Sequence, residues 1–202
     1  MRTTPEPAVR SGVRAAILNT AAAVIAERGD AASMAEIAAT AGVGRATLYR
    51  YFPSREQLLQ GMTVAAMEEL AGNIAAAELE TVDVPEALAR LSRAFLAAAT
   101  RYAALVHLRD RHLTKPAELE ERIARPVLDV LRRGIADGSL RSDVPLELQF
   151  TVLTGLYEKV MRLVLSGELQ AERASSLVTS VFLDGAGVSS VGREFGPTAG
   201  NR

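Results

Sequence analysis

The sequence contains no cysteine and no tryptophan among its 202 residues, and it has only two histidines, His107 and His112. The lack of cysteine excludes disulfide bonds, thiolate metal sites and a cysteine nucleophile. The spacing of the two histidines places them about 140° apart around a helix, which is poor geometry for binding one metal ion together. No arrangement of serine, histidine and aspartate stands out as a catalytic triad. We therefore expect no metal, no cofactor and no enzymatic activity.

Long uninterrupted hydrophobic runs are also missing, although 49% of the residues are hydrophobic. No stretch approaches the roughly 18 apolar residues that a membrane-spanning helix requires. The first residues, MRTTPEPAVR, are polar and lack the apolar centre of a secretory signal. We therefore expect a cytoplasmic protein without a membrane partner.

An excess of charge of either sign is absent too, because the formal net charge is −1. The first 60 residues hold seven arginines and five acidic residues, a charge of +2, which leaves −3 for the rest of the chain. These numbers exclude a protein that is coated with positive charge for binding nucleic acid. A local basic face near the N-terminus is compatible with them.

What the sequence does contain is helical periodicity, because apolar residues recur at helical spacing nearly everywhere and no segment alternates as a strand would. The predicted fold class is all-α. About nine helices are expected, over residues 9–28, 34–41, 45–52, 54–77, 83–101, 103–113, 116–136, 145–166 and 170–183. Residues 1–8 are expected to form a flexible arm, and residues 186–202 a disordered tail.

One stretch, residues 33–59, carries the pattern of two short helices joined by a tight turn, in the sequence SMAEIAATAGVGRATLYRYFPSREQLL. Ser33 and Glu36 predict a capping box at the start of the first helix. Gly42 can adopt the left-handed conformation that reverses the chain. Residues spaced to fix the angle between the two helices are Ile37, Ala38, Val43, Leu48 and Phe52. This pattern predicts a helix-turn-helix.

The second short helix has an outer face that suits DNA. That face carries Arg45, Ala46, Thr47, Tyr49 and Arg50. Arginine matches the paired acceptors of guanine in the major groove, and hydroxyl groups can donate to phosphates. The alternative is that these arginines are simply solvated on two surface helices. Isolated arginines would favour that alternative, whereas the complete pattern favours DNA.

The same stretch resembles the TetR family of transcriptional regulators, and the run GVGRATLYRYF at residues 42–52 is the most specific part of the resemblance. The resemblance implies a helix-turn-helix DNA-binding domain over residues 9–53 and an effector-binding and dimerisation domain over residues 54–185. It also implies a homodimer that binds palindromic, double-stranded operator DNA as a repressor. A small-molecule effector would then release the DNA.

The resemblance further implies roles for individual residues of the motif. Thr47 and Tyr49 match positions that contact the DNA backbone. Residues that match phosphate-binding positions are Ser33, Tyr51 and Arg55. Residues that match variable, base-reading positions are Arg45, Ala46 and Arg50. Two positions depart from the family pattern: Gly44 replaces the serine usual at the cap of the recognition helix, and Ala35 replaces a base-reading side chain of some relatives.

The resemblance also places a dimer surface and an effector pocket in the second domain. The residues expected at the dimer surface, on the last two helices, are Leu156, Leu163, Leu177, Val178, Val181 and Phe182. The residues expected in the pocket, on the middle helices, are Met62, Met67, Phe95, Tyr102, His107, Tyr157 and Met161. Such apolar or amphipathic side chains are typical of interfaces and pockets. Ordinary core packing is the alternative for each of them.

Two other functions remain open on the sequence alone. A helical small-molecule-binding or enzymatic domain, in which the N-terminal helices only pack, predicts no salt-dependent affinity for DNA, unlike a repressor. A regulator without a ligand, or with a protein partner, predicts a closed core among the middle helices.

Overall fold

The computed structural model describes residues 7–101 and 114–186, with side chains described for residues 10–98 and 114–186. These residues form α1 (Pro7–Arg28), α2 (Met34–Thr40), α3 (Arg45–Tyr51), α4 (Arg55–Ala76), α5 (Val84–Arg101), α6 (Ala117–Asp137), α7 (Leu146–Leu165) and α8 (Ala171–Ala186). Single turns of 3-10 helix follow α1 at Gly29–Ala31 and precede α5 at Leu79–Thr81. The predicted all-α fold is confirmed. The predicted helix over residues 103–113 lies outside the described residues.

Both ends of the described chain differ slightly from the prediction. Helix α1 begins at Pro7, so residues 7 and 8 belong to a helix rather than to a flexible arm. Proline is tolerated there because an N–H in the first helical turn has no partner within the helix. Helix α8 continues to Ala186 and so includes the first residue of the predicted tail. Residues 1–6 and 187–202 lie outside the described residues.

Helices α1–α3 and the first half of α4 share one core, which we call the N-terminal core. Its buried residues are Ile17, Leu18, Ala21, Ala22, Val24, Ile25, Ala32, Ile37, Ala38, Leu48, Phe52, Leu58, Leu59 and Met62. The helices approach closely at Gly61 of α4, where an added Cβ atom would lie 2.8 Å from the Phe52 ring. Glycine at this position therefore sets how near α4 comes to Phe52.

The second half of α4 and helices α5–α8 share a second core, which we call the C-terminal core. Its buried residues are Ile74, Leu79, Val84, Ala87, Leu88, Leu91, Ala94, Val127, Val130, Leu131, Leu140, Leu153, Tyr157, Val178, Phe182 and Ala186. Helix α5 lies in the middle of this unit, since it packs against α4, α6, α7 and α8.

Helix α4 belongs to both cores. Leu58, Leu59 and Met62 lie in the N-terminal core, whereas Ile74 lies in the C-terminal core. A helix of 22 residues is about 33 Å long. Because a helix moves largely as a rigid element, α4 can transmit a displacement from one core to the other.

The described parts of the chain contain neither a candidate membrane-spanning helix nor a candidate metal site. No helix in residues 7–101 or 114–186 is long and apolar enough to cross a membrane. In the same ranges, no group of three or more metal-ligating side chains could hold a metal ion.

Candidate nucleic-acid interface and small-molecule cavity

The start of α2 is capped by Ser33, as the sequence predicts. The Ser33 hydroxyl accepts a hydrogen bond from the backbone N–H of Glu36 at 3.2 Å. The Glu36 carboxylate pairs instead with Arg28 at the end of α1, where Nε and Oε1 lie 3.0 Å apart. The ion pair joins α2 to α1, and Ser33 remains exposed.

The chain turns between α2 and α3 at Gly42, whose φ of 65° lies in the left-handed region that favours glycine. Two backbone hydrogen bonds close the turn, from Gly42 N–H to the Ala39 carbonyl at 3.1 Å and from Val43 N–H to the Ala38 carbonyl at 3.0 Å. Gly44 is the N-cap of α3 and makes no side-chain hydrogen bond. Backbone hydrogen bonds alone therefore cap the start of α3.

Helix α3 buries one face and presents the opposite face to solvent. Leu48 is fully buried in the N-terminal core, and Phe52, just after the helix, is buried beside it. The exposed residues are Arg45, Ala46, Tyr49 and Arg50, and Thr47 is partly exposed. Tyr49 exposes 47% of its surface, which leaves its hydroxyl accessible. The predicted base-reading and backbone-contacting residues of α3 thus share one accessible face.

Tyr51 and Arg55, which we predicted to bind phosphate, are in more constrained positions. Tyr51 is half-buried against the N-terminal core, and the Arg50 guanidinium lies over its ring, 5.5 Å from the centroid. Arg55 Nη1 donates to the backbone carbonyl of Ala32, and Arg55 Nη2 is buried. The Arg55 guanidinium therefore ties the start of α4 to the residue before Ser33. A phosphate contact would require this side chain to turn outward.

The residues predicted for the dimer surface divide into two groups. Val178 and Phe182 expose only 1% and 3% of their surface because they pack into the C-terminal core of their own chain, so we remove them from the predicted surface. Leu163, Leu177 and Val181 are exposed, and Leu156 is half-buried. We define the α7–α8 apolar face by these four residues together with Leu148 and Val152, which are exposed on the same side of α7.

A cavity of about 620 Å³ lies among α4, α5 and α7. Its lining residues are Ala66, Met67, Leu70, Phe95, Leu96, Ala98, Lys115, Thr151, Thr154, Gly155, Tyr157, Glu158 and Met161. Four of the predicted pocket residues are among them, namely Met67, Phe95, Tyr157 and Met161. The volume and the mainly apolar lining are typical of small-molecule sites.

One predicted pocket residue, Met62, does not line this cavity. Met62 is fully buried in the N-terminal core, because this part of α4 faces α1 rather than α5. Tyr102 and His107 lie outside the described residues.

Sequence reasoning missed several polar residues of the cavity. Lys115, Thr151 and Glu158 line it without having been predicted. A signal for two of them was present, since Thr151, Glu158 and Met161 recur at helical spacing on the side of α7 that includes Tyr157. No periodicity points to Lys115, because it lies before α6 and not on a helix.

Three hydroxyl groups meet beside the cavity, inside the C-terminal core. Ser92 Oγ on α5 lies 3.1 Å from the Tyr157 hydroxyl oxygen on α7 and 3.0 Å from Thr179 Oγ1 on α8. Burial raises the pKa of Tyr157, and the hydrogen bond with Ser92 only partly opposes this effect. The Tyr157 ring also stacks on Phe95, with centroids 4.4 Å apart and an interplanar angle of 10°. These contacts fix one wall of the cavity against two other helices.

A side chain of α4 connects the first half of that helix to the edge of the cavity. Gln60 Nε2 donates to the backbone carbonyl of Thr114 at 2.5 Å, and Gln60 Oε1 accepts from the Thr114 N–H at 2.9 Å. We call these two bonds the Gln60–Thr114 clamp. Lys115, the next residue, lines the cavity. Gly61, the residue after Gln60, packs on Phe52 of the N-terminal core.

A second concave region, of about 390 Å³, lies between α4 and α6. Its lining includes Glu80, Arg125, Asp129 and Arg133, so charged side chains form much of its wall. Small-molecule sites are mainly apolar with few polar groups. The cavity among α4, α5 and α7 is therefore the better candidate.

The sequence of the N-terminal core matches a known family model. Residues 17–62 match the model described as bacterial regulatory proteins, tetR family. The HTH-type transcriptional repressor KstR2 of Rhodococcus jostii (strain RHA1) is 30% identical over 197 residues, which cover 90% of this chain and 97% of KstR2. The likeness therefore extends over both cores and is not confined to the helix-turn-helix.

Solved structures show the same fold. The TetR family transcriptional regulator PfmR from Thermus thermophilus matches with a TM-score of 0.69 and 26% identity, over 83% of this chain and 97% of PfmR. RolR, solved in complex with the ligand resorcinol, matches with a TM-score of 0.57 and 25% identity, over 91% of this chain and 92% of RolR.

Proposed function

Because this chain belongs to the TetR family of bacterial regulatory proteins, we propose that it binds palindromic operator DNA as a homodimeric repressor and is released by a small-molecule effector. The observation that carries the proposal is the exposed face of α3. Arg45, Tyr49 and Arg50 are exposed there, while Leu48 of the same helix is buried in the N-terminal core. Its relative KstR2 is a transcriptional repressor. This favours regulation over the enzymatic alternative.

In the proposed complex, α3 lies in the major groove. Arg45 and Arg50 donate to guanine acceptors, while Thr47 and Tyr49 contact the DNA backbone. Ser33 reaches a phosphate from the start of α2. Because α3 has only seven residues, one unit covers little DNA, and two units related by two-fold symmetry bind two half-sites.

Substitution on α3 tests this assignment. We expect Arg50→Ala to weaken binding to DNA from upstream of the protein's own coding region by about tenfold or more, since a good arginine–guanine pair contributes about 1–3 kcal/mol. Tyr49→Phe, which removes one backbone contact, should weaken binding less. Fluorescence anisotropy at several salt concentrations measures both. Arg122→Ala, on the exposed surface of α6, is the matched control. If both α3 variants bind like the parent, the recognition face is wrongly assigned.

The α7–α8 apolar face supports the proposed dimer. Leu148, Val152 and Val181 each expose about half of their surface to water, and adjacent exposed apolar side chains mark a contact site. Helices α7 and α8 also pack on each other. Two copies would bring four helices together in an isologous bundle.

A charge placed on this face tests the dimer. We expect Val181→Glu to produce monomers in sedimentation velocity and to abolish operator binding, because a buried carboxylate without a partner opposes association. Ala75→Glu, which puts the same charge on an exposed position of α4, should remain dimeric. A dimeric Val181→Glu protein would exclude this face as the interface.

The cavity and the Gln60–Thr114 clamp support release by an effector. A molecule that fills the space among α4, α5 and α7 pushes on α4, and the clamp joins α4 to the residue beside Lys115. The ligand complex of the similar protein RolR supports a small-molecule role for this fold. Effector and operator then weaken each other's binding by the same factor.

Filling the cavity tests whether it accepts small molecules. The neutral apolar dye Nile red should bind the wild-type protein with a rise in fluorescence. Gly155→Trp, at a lining position where an added Cβ atom meets nothing within 4 Å, should abolish this rise while far-UV circular dichroism shows that the helical fold is retained. Unchanged dye binding by this variant would contradict the assignment of the cavity.

A further inference from the structure

The chemistry of the cavity narrows the class of effector, provided that the cavity is the effector site proposed above. Its hydroxyl groups already have partners within the protein. Thr151 and Thr154 each donate to a backbone carbonyl one turn earlier in α7, at 2.8 Å. The Tyr157 hydroxyl shares a hydrogen bond with Ser92, which donates to the Leu88 carbonyl. The hydroxyl hydrogens around the cavity are therefore engaged and do not select a ligand.

The two charged lining residues differ in whether another side chain balances their charge. Glu158 Oε1 accepts a hydrogen bond from Arg162 Nη2 at 2.6 Å, so the Glu158 charge is balanced on α7 itself. Lys115 is exposed, and within residues 7–101 and 114–186 it has neither an ion pair nor a hydrogen bond. Among the described lining residues, the unbalanced charge is therefore the ammonium group of Lys115.

Most of the remaining wall is apolar. Met67, Leu70, Leu96 and Met161 contribute aliphatic or thioether side chains, and Phe95 contributes an aromatic ring. Methionine side chains adapt to ligands of different shape. A ligand whose apolar part covers this wall displaces water beside the ammonium group, so the ammonium group then attracts the ligand's anionic group more strongly than it would in bulk water.

We propose that the effector of this protein is an amphipathic anion, whose carboxylate or similar acidic group pairs with Lys115 while its apolar part lies among Met67, Phe95 and Met161. The position of Lys115 connects this pairing to α4 and so to the DNA-binding unit. Thr114, the preceding residue, is held through both backbone polar groups by Gln60 of α4. An anion bound at Lys115 therefore acts one residue away from the link to the DNA-binding unit.

Probes that share one alkyl chain and differ only in headgroup charge test the proposal. Decanoate, decanol and decylammonium are titrated against the full-length protein with Nile red bound, and displacement of the dye gives each dissociation constant. We expect decanoate to bind about tenfold more tightly than decanol, as a charge-assisted hydrogen bond predicts. Decylammonium should bind more weakly than either.

Variants of the two lysines of the chain identify the group responsible. Lys115→Gln should make decanoate and decanol bind equally, and Lys115→Glu should reverse the preference in favour of decylammonium. Lys159→Gln, which removes the other lysine, on the exposed surface of α7, should retain the wild-type order. Equal binding of decanoate and decanol by the wild type, or equal effects of Lys115→Gln and Lys159→Gln, would overturn the anion proposal while leaving the cavity as the effector site. If none of the three probes displaced the dye, the proposed effector site would be overturned as well.

Discussion

The two cores of this molecule differ in how completely side chains fill them. Both cores fit closely at one glycine, since an added Cβ atom would lie 2.8 Å from Phe52 at Gly61 and 2.6 Å from Leu140 at Gly134. The C-terminal core leaves a cavity of about 620 Å³ beside it and buries the polar side chains Ser92 and Gln149. A closely packed core holds α3 rigidly in the shape that DNA requires, whereas a core with space can change when that space is filled.

The largest expected effect comes from removing one leucine from each core. Leu48→Ala and Leu91→Ala, at fully buried positions, should each lower the free energy of unfolding by about 2–5 kcal/mol. If the two units respond separately, Leu48→Ala abolishes operator binding but retains Nile red binding, whereas Leu91→Ala, which also loosens the helices of the proposed dimer, loses both. Chemical denaturation measures the stability of each variant, and the two binding assays, on the folded protein, measure its activities. Loss of both activities in both variants would mean that the units unfold as one.

The next effect concerns two glycines of the same helix. Gly61→Ala should lower stability by about 1–3 kcal/mol, because its Cβ atom would crowd the buried Phe52 ring. Gly72→Ala, at an exposed position of α4 with open space around it, should raise stability by up to about 1 kcal/mol, since alanine favours the helix. Thermal unfolding compares the two. A neutral Gly61→Ala variant would show that the N-terminal core is looser than its geometry indicates.

This contrast also explains what the sequence could predict. The helix-turn-helix depends on local patterns, so α2 and α3 end within one residue of their predicted bounds. Membership of one short helix then determines which side chains share a face, and Arg45, Tyr49 and Arg50 were found in this way. Local patterns were sufficient because a single helix and one turn define the surface.

The cavity depends instead on how α4, α5 and α7 pack together. Met62 and Met67 are five residues apart on α4, yet the first lies in the N-terminal core and the second lines the cavity. Val178 and Val181 are likewise close on α8, but only Val181 is exposed. Periodicity identifies an apolar residue without saying which neighbour covers it, so these assignments required the tertiary structure.

A smaller effect is expected from the buried hydroxyl cluster of the C-terminal core. Tyr157→Phe removes the hydrogen bond to Ser92 and should lower stability by about 1 kcal/mol at neutral pH. Tyr49→Phe is the matched control, because Tyr49 is the exposed tyrosine of α3. Urea denaturation should show a smaller change for the control than for Tyr157→Phe. An equal change would mean that the cluster contributes no stability.

The same pair of variants should also differ in how their stability changes at alkaline pH. Burial raises the pKa of Tyr157 above its ordinary value of 10.0, so above pH 10 the unfolded chain loses this proton while the folded chain keeps it. The stabilisation is complete below pH 10 and falls as the pH rises further, by up to about 1.4 kcal/mol per pH unit. Tyr157→Phe should lose less stability above pH 10 than the wild type, and Tyr49→Phe should match the wild type. A decline of the same steepness in all three proteins would contradict a protonated, buried Tyr157.

The smallest effect on stability is expected at the link between the two cores. Gln60→Leu removes both bonds of the Gln60–Thr114 clamp, and stability should fall by only about 0.5 kcal/mol because water can reach the exposed backbone groups of Thr114. The variant should nonetheless change communication between the units. Gln57→Leu, at an exposed position one turn earlier on α4, is the matched control.

Hydrogen exchange with and without operator DNA detects that communication in the absence of any effector. Because coupling is reciprocal, DNA bound at α3 should slow exchange at the Thr114 amide, whose hydrogen is bonded to Gln60. This protection should appear in the wild type and in Gln57→Leu, and it should disappear in Gln60→Leu although the variant still binds the operator. Persistence of DNA-induced protection at Thr114 without the clamp would mean that the two cores communicate through the shared packing of α4 alone. The close fit around Gly61 would then govern both the binding of operator DNA and its release by the effector.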